Sequence, residues 1–258
     1  MRQHKPLLFA LGVWILLPGA SPRQSAKDLP TGDDIVARVN EIMSPVSSKA
    51  VATQTIQTSS GDSRTFEFEM FSANRGEKTL IRYVKPARIR GQAFLMLNHA
   101  DDIWAFFPRT QRVRKLASHA KKQKVQGSDF TYEDIGSGEA WIRQFKASNL
   151  GETDYQDQPC WKIELKGLPN QDASYEKIVM WVRKKDHFPL YLEYYEPGTT
   201  LRKTLIMEDI QVIENIPTAR RMVMRNRLDH TETILSLVSV TYSWEPPPGF
   251  FSERNLKR

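Results

Sequence analysis

Along much of the chain, apolar side chains recur at every second position. Phe66, Phe68 and Met70 alternate with Glu67 and Glu69, and Trp161, Ile163 and Leu165 alternate with Lys162, Glu164 and Lys166. Ile178, Met180 and Val182 continue the pattern, followed by Leu190, Leu192 and Tyr194, then Thr231, Thr233, Leu235 and Leu237 near the end. A period of two sends successive side chains to opposite faces of an extended chain, so these runs predict antiparallel strands with one dry and one wet face. Turn-forming residues separate them at Ser60-Gly61-Asp62, Ala100-Asp101-Asp102, Asp157-Gln158-Pro159, Glu196-Pro197-Gly198 and Leu228-Asp229-His230. Strands joined by short turns predict one meander of about ten strands, and a twisted sheet of that size curls or splits.

One segment follows a different period. Ile35, Val36, Val39, Ile42 and Met43 fall at helical spacing behind Thr31-Gly32-Asp33-Asp34, a capping pattern, and Ser44-Pro45 ends the run. A short amphipathic helix is therefore expected over residues 33–43. The predicted class is mainly β with a few helices: a strongly curved antiparallel sheet closed by helices. No repeat at solenoid or propeller spacing is present, which predicts a single domain over residues 33–258.

The chain opens differently. Arg2 and Lys5 precede eleven apolar or small residues, Leu7–Leu17, and then Pro18, Gly19 and Ala20. A charged start, a short apolar centre and small residues after it make a secretory signal peptide over residues 1–20, with a polar linker over 21–32. The apolar run is too short for a bilayer-spanning helix, which needs about 20 residues. Removing it lowers the formal charge from +7 to about +5. Export through such a signal predicts a periplasmic protein.

Composition narrows the chemistry. A single cysteine, Cys160, excludes an internal disulfide and a cysteine-clustered metal centre, and is expected as a small buried residue in a strand. His99, His119, His187 and His230 share no metal-ligand spacing. Nucleophile-elbow, zinc-helix, Walker and dinucleotide-binding motifs are all missing. Gly136-Ser137-Gly138 is too short for a nucleophile turn, and the adjacent acids Asp101-Asp102 and Glu133-Asp134 suit turns better than a glycosidase pair. Neither catalytic residue nor cofactor nor metal is expected.

Charge is distributed unevenly. No acid occurs between Ile103 and Ser128, whereas residues 109–124 hold Arg109, Arg112, Arg114, Lys115, Lys121, Lys122 and Lys124. Arg112 and Arg114 flank Val113 as in a strand, and residues 117–126 lack a period and read as a loop. Such a segment is either a footprint for phosphates on lipid or an anionic membrane, or a solvated edge whose charges discourage sheet-to-sheet association. Nucleic acid is not expected, because no aromatic side chains interleave to stack on bases.

The stretch 101–135, DDIWAFFPRTQRVRKL…VQGSDFTYEDI, resembles the outer-membrane lipoprotein-sorting protein family, the LolA-like group of periplasmic proteins. The resemblance rests on the aromatic strand Ile103-Trp104-Ala105-Phe106-Phe107-Pro108, on the basic strand after it, and on Gly127-Ser128-Asp129-Phe130-Thr131-Tyr132-Glu133-Asp134. Phe250-Phe251-Ser252 also fits. The chain departs from the pattern at Gln126, where a large apolar residue is usual.

The resemblance implies an incomplete barrel with a helical lid over an apolar cavity that holds lipid or lipoprotein acyl chains. It also implies traffic toward the outer membrane, or to or from an exporter of the resistance–nodulation–division type. Alternation nominates Phe66, Phe68, Met70, Trp104, Phe106, Trp161, Ile163, Met180 and Leu192 for the cavity wall, each of which would serve equally as plain core. Arg112, Arg114, Lys121 and Lys122 are the candidates for a headgroup or a partner surface. Ser128, Asp129, Phe130 and Tyr132 are the candidates to anchor a loop over the mouth. The chain is expected to act as a monomer. A second reading is a periplasmic sensor or scaffold that grips a partner protein with the same half-barrel.

Overall fold

The computed structural model describes residues 29–169 and 171–257. The expected signal peptide and most of the linker lie outside the described residues. Among those described, no helix is long and apolar enough to cross a membrane.

The predicted helix is present as α1 (Gly32–Met43), with Thr31 as its N-cap: the Thr31 hydroxyl accepts from the Asp34 amide at 3.1 Å and donates to the Asp34 carboxylate at 2.6 Å. Ser44 ends it. Everything else of regular length is strand. β1 (Ser47–Gln57), β2 (Ser63–Ala73), β3 (Lys78–Lys85), β4 (Ala93–Leu97), β5 (Asp102–Phe107) and β6 (Arg112–Lys115) form a first meander. β7 (Phe145–Tyr155), β8 (Gln158–Gly167), β9 (Lys177–Arg183), β10 (Pro189–Glu196), β11 (Thr200–Ile213), β12 (Ile216–Asn226) and β13 (Thr231–Thr241) form a second. Among the described residues thirteen strands replace the ten or so expected.

β1 and β13 join the meanders antiparallel, Lys49 opposite Thr241 and Gln57 opposite Glu232, into one sheet in the order β6-β5-β4-β3-β2-β1-β13-β12-β11-β10-β9-β8-β7. Bulges after Val51, Glu67, Asn149, Pro189 and Tyr194 bend the strands. The sheet stays unclosed, with β6 and β7 as its free edges. These two strands are consecutive in the chain, so the segment between them has to cross from one edge to the other. That segment carries α2 (Tyr132–Gly136) and several short helical turns.

α1 packs beside the β7 edge. The Asp33 carboxylate bonds the Lys146 ammonium and accepts from the Ala147 amide at 3.2 Å, and the Asn149 amide side chain donates to the Pro30 carbonyl at 2.8 Å. The Lys146 hydrogen bond is the main reason the Asp33 carboxyl lies below its ordinary range.

Two apolar layers result. The larger fills the side covered by α1 and α2. It holds Phe66, Phe68, Trp161, Ile163, Met180 and Leu192, with Met70 packed against it. The smaller lies on β2–β5 and joins Phe71, Leu80, Ala93, Leu95 and Phe106 to Leu256, with Trp104, Trp244, Phe250 and Phe251 around it. Trp104 and Phe106 therefore belong to this second layer and not to the cavity side. β5 is apolar on both faces, and it is the smaller Ile103 and Ala105 that join the main core. Alternation separates two faces without saying which is concave.

The tail over the second layer holds by packing and by two polar ties, from the Ser47 hydroxyl to the Trp244 carbonyl at 2.5 Å and from the Arg82 guanidinium to the Asn255 carbonyl at 2.7 Å. Phe71 meets Trp244 at 5.3 Å and Phe250 at 4.8 Å between ring centres. Leu256 is fully buried there. Leu256→Ala should cost about 2–4 kcal/mol in urea unfolding; an unchanged midpoint would show that the tail adds nothing to the fold.

Candidate functional site

The segment between β6 and β7 reaches the sheet by inserting its own residues. Val125, Phe130 and Tyr132 are buried in the main core. Tyr132 packs on Phe94 at 5.2 Å, and the contacts continue through Tyr83, which lies 6.2 Å from Phe94, 5.9 Å from Phe66 and 5.4 Å from Phe68. This aromatic stack fills the interior beside Phe66, Phe68, Tyr83 and Phe94. Gly136 lets α2 sit close on β4, since a Cβ there would stand 2.7 Å from the Met96 sulfur. At the departure from the family pattern, Gln126 adopts a left-handed φ of 53°, and its neighbour Val125 supplies the buried apolar group.

Polar contacts fix the same segment to the other half of the sheet. Ser128 accepts from the Phe130 amide at 3.2 Å. Asp129 is almost completely buried: its carboxylate accepts from Thr231 at 2.6 Å and Thr233 at 2.9 Å, and its amide donates to Thr233 at 2.9 Å. Thr131 and Asp134 cap α2 reciprocally. The Asp134 carboxylate also receives the Lys203 ammonium of β11 at 2.5 Å. Lys203 donates as well to the Asp129 carbonyl at 3.3 Å and sits 5.1 Å from the ring centres of both Tyr175 and Tyr194. Burial pushes both tyrosine hydroxyls upward, so they stay neutral.

Beside this tie the interior is hollow. Two adjoining chambers of about 240 and 250 Å³ share Met43, Phe130, Asp134, Ile135, Gly138, Met207 and Met222. Six of the eight methionines line them: Met43, Met70, Met180, Met207, Met222 and Met224. Together the chambers reach the range of small-ligand sites, roughly 300–1,000 Å³. Of the nine wall candidates, Met70, Met180 and Leu192 face this space. Phe66 and Phe68 are spent in the aromatic stack, and Trp161 and Ile163 lie elsewhere in the main core.

Sequence reasoning missed Lys203, because a lysine in a strand reads as solvent-facing. It also missed Met207, Met222 and Met224. The alternation of Met222 and Met224 about Val223 was the available signal.

The basic segment is more ordered than expected, with helical turns at Ser118–Lys122 and Val125–Gly127. Its lysines are already engaged: Lys121 with Asp101 at 3.0 Å and Asp172 at 3.5 Å, Lys122 with Asp172 at 2.5 Å, and Lys124 with Asp229 at 2.7 Å. Lys121 and Lys122, the lysine candidates for a headgroup or a partner surface, thus sit beside acids distant in sequence that fold back onto them. Arg112 and Arg114 are exposed and make no ion pair among the described residues. Cys160 is fully buried, and burial raises its thiol.

A family model described as an uncharacterized protein matches residues 75–258. A putative outer membrane lipoprotein-sorting protein domain from Vibrio parahaemolyticus is 25% identical, with 88% of this chain and 98% of that one aligned at a TM-score of 0.80. A DUF1329 family protein from Desulfovibrio piger aligns over 87% and 97% at 23% identity and a TM-score of 0.78. A LolA superfamily protein from Nitrosomonas europaea aligns over 88% and 100% at 21% identity and a TM-score of 0.74. The chain belongs to the family of that model, and it shares the LolA-like fold of these structures. No curated protein matches its sequence. The LolA-like half-barrel here is an unclosed thirteen-stranded sheet whose concavity is part solid and part hollow.

Two outcomes follow from the polar ties. Asp134→Asn should destabilise the protein by about 3–5 kcal/mol in urea unfolding, because it strands the buried Lys203 charge, and Lys203→Met added to it should recover part of the loss. Acid acts on the outer ties. Hydrogen bonds from Lys122 and Lys124 hold the Asp172 and Asp229 carboxyls below their ordinary 3.8. Their contribution is present above that value and disappears as pH falls through the lower folded values. Hydrogen exchange in residues 118–127, corrected for intrinsic rate, should therefore accelerate relative to β1 below about pH 3.8.

Proposed function

We propose that the protein is a periplasmic carrier that shelters lipid or lipoprotein acyl chains in the methionine-lined hollow. It would pass them toward the outer membrane, or to or from an inner-membrane lipid exporter. The observation that carries the reading is the hollow, walled by six methionines and roofed by α1 and α2. Methionine is unbranched, flexible and polarisable, so a wall made of it reshapes around chains of different length and unsaturation. Each sheltered methylene contributes about 0.8 kcal/mol, so even a partly buried chain binds without directional contacts. The likeness to a putative outer membrane lipoprotein-sorting protein domain supports the cargo class. No catalytic step is needed for this role.

Full-length protein purified from the envelope should carry phospholipid or acylated species in native mass spectrometry, and emptied protein should take up a fluorescent fatty acid. Met207→Trp and Met222→Trp, which fill the space shared by both chambers, should weaken uptake tenfold or more while thermal unfolding stays cooperative. Ligand-free preparations with no uptake would overturn the carrier in favour of a scaffold that grips a partner protein.

A further inference from the structure

We propose that one end of the half-barrel docks on an anionic bilayer through a set of unpaired arginines. The β3–β4 connection brings Arg88 and Arg90 to the same end of the sheet as Arg109 and Arg112, which flank the β5–β6 turn. The two loops touch: a Cβ on Gly91 would lie 3.5 Å from the Pro108 ring. Arg114 follows on the free edge strand, and Arg64 opens β2 at the same end. All six are exposed, and none makes an ion pair among the described residues.

The pattern of pairing makes the case. Nearby lysines are neutralised, Lys85 by Glu67 at 2.8 Å and Lys115 by Asp102 at 2.5 Å, as are Lys121, Lys122 and Lys124. Asp62, the other acid close in sequence to Arg64, accepts from Ser60 in its own turn. Residues 86–100 and 103–128 contain no acid at all. The cations left over are all arginines, whose planar forks suit phosphate better than an ammonium does.

They lie on four separate segments of one sheet end, the start of β2, the β3–β4 connection, the β5–β6 turn and β6, so they match laterally mobile headgroups better than one discrete phosphate. Half-buried Ile89, Phe107 and Pro108 lie among them and can rest at headgroup depth. The second chamber of the hollow reaches the opposite strand ends at Ser48, Ser72, Pro217 and Tyr242. Docking by the arginine end therefore leaves that chamber clear. This inference does not depend on the cargo, since an empty protein would dock equally.

Flotation of the full chain with phosphatidylglycerol-rich and phosphatidylcholine vesicles tests it. Binding is expected to the anionic vesicles alone and to fade as salt shortens the Debye length. Arg90→Gln, Arg109→Gln and Arg112→Gln should each lower partitioning about fivefold, with circular dichroism unchanged, whereas Lys185→Gln at the opposite end should have no effect. Three results would overturn the proposal: wild-type partitioning by the triple variant, equal binding to both vesicles, or retention on heparin without retention on vesicles.

Discussion

The structure depends on one topological constraint. β6 and β7 follow one another in the chain yet end up at opposite edges of an open sheet. Short hairpins can build each meander, but this single connection has to travel across the concave face. In doing so it covers that face, brings Phe130 and Tyr132 into the core, and creates the space between itself, α1, β1–β3 and β9–β13. The lid and the hollow are thus consequences of one crossing. An unclosed sheet also leaves two edges exposed to pairing with other chains. Here α1 sits beside β7, and β6 is short and carries exposed charges.

The crossing segment is held by two kinds of force in two places. Over β2–β4 the contact is aromatic, Tyr132 on Phe94, which meets Tyr83 in turn. Over β11–β13 it is polar: Asp129 on paired threonines, and Asp134 on Lys203. A buried ion pair adds little net stability over an apolar equivalent, because both ions lose water. What it supplies is position, since a lid displaced by one residue would leave both charges unpaired in an apolar wall. The first chamber of the hollow lies at this polar side, where methionines and not stacked rings meet the lid, and the second runs on along β1–β3 toward Ser48 and Ser72.

Much of the fold was legible in the chain. Strict alternation marked β2, β8, β9, β10 and β13, helical spacing marked α1, and the turn sequences fell between strands. β1 and β4 were harder for opposite reasons: β1 is rich in small and hydroxyl side chains, and β4 (Ala93-Phe94-Leu95-Met96-Leu97) is apolar on both faces. The site was less legible. Phe66 and Met180 look alike as inward positions on a strand, yet one packs against Tyr83 and the other borders a void. That difference depends on which strand lies opposite. The fate of Lys121, Lys122 and Lys203 was hidden for a similar reason, since Asp101, Asp172 and Asp134 become neighbours only when distant segments meet.

The pairing of β1 with β13 has a kinetic consequence. It zips together residues near opposite ends of the described chain, Lys49 with Thr241, and among the described residues it is the only ladder joining the two meanders. Contacts so remote in sequence form slowly, because a long loop must close before they stabilise anything. Until they do, each half presents a naked eleven-residue strand to its surroundings. A newly made chain is most vulnerable to aggregation in that interval, and a chaperone that shields these two strands would serve it best.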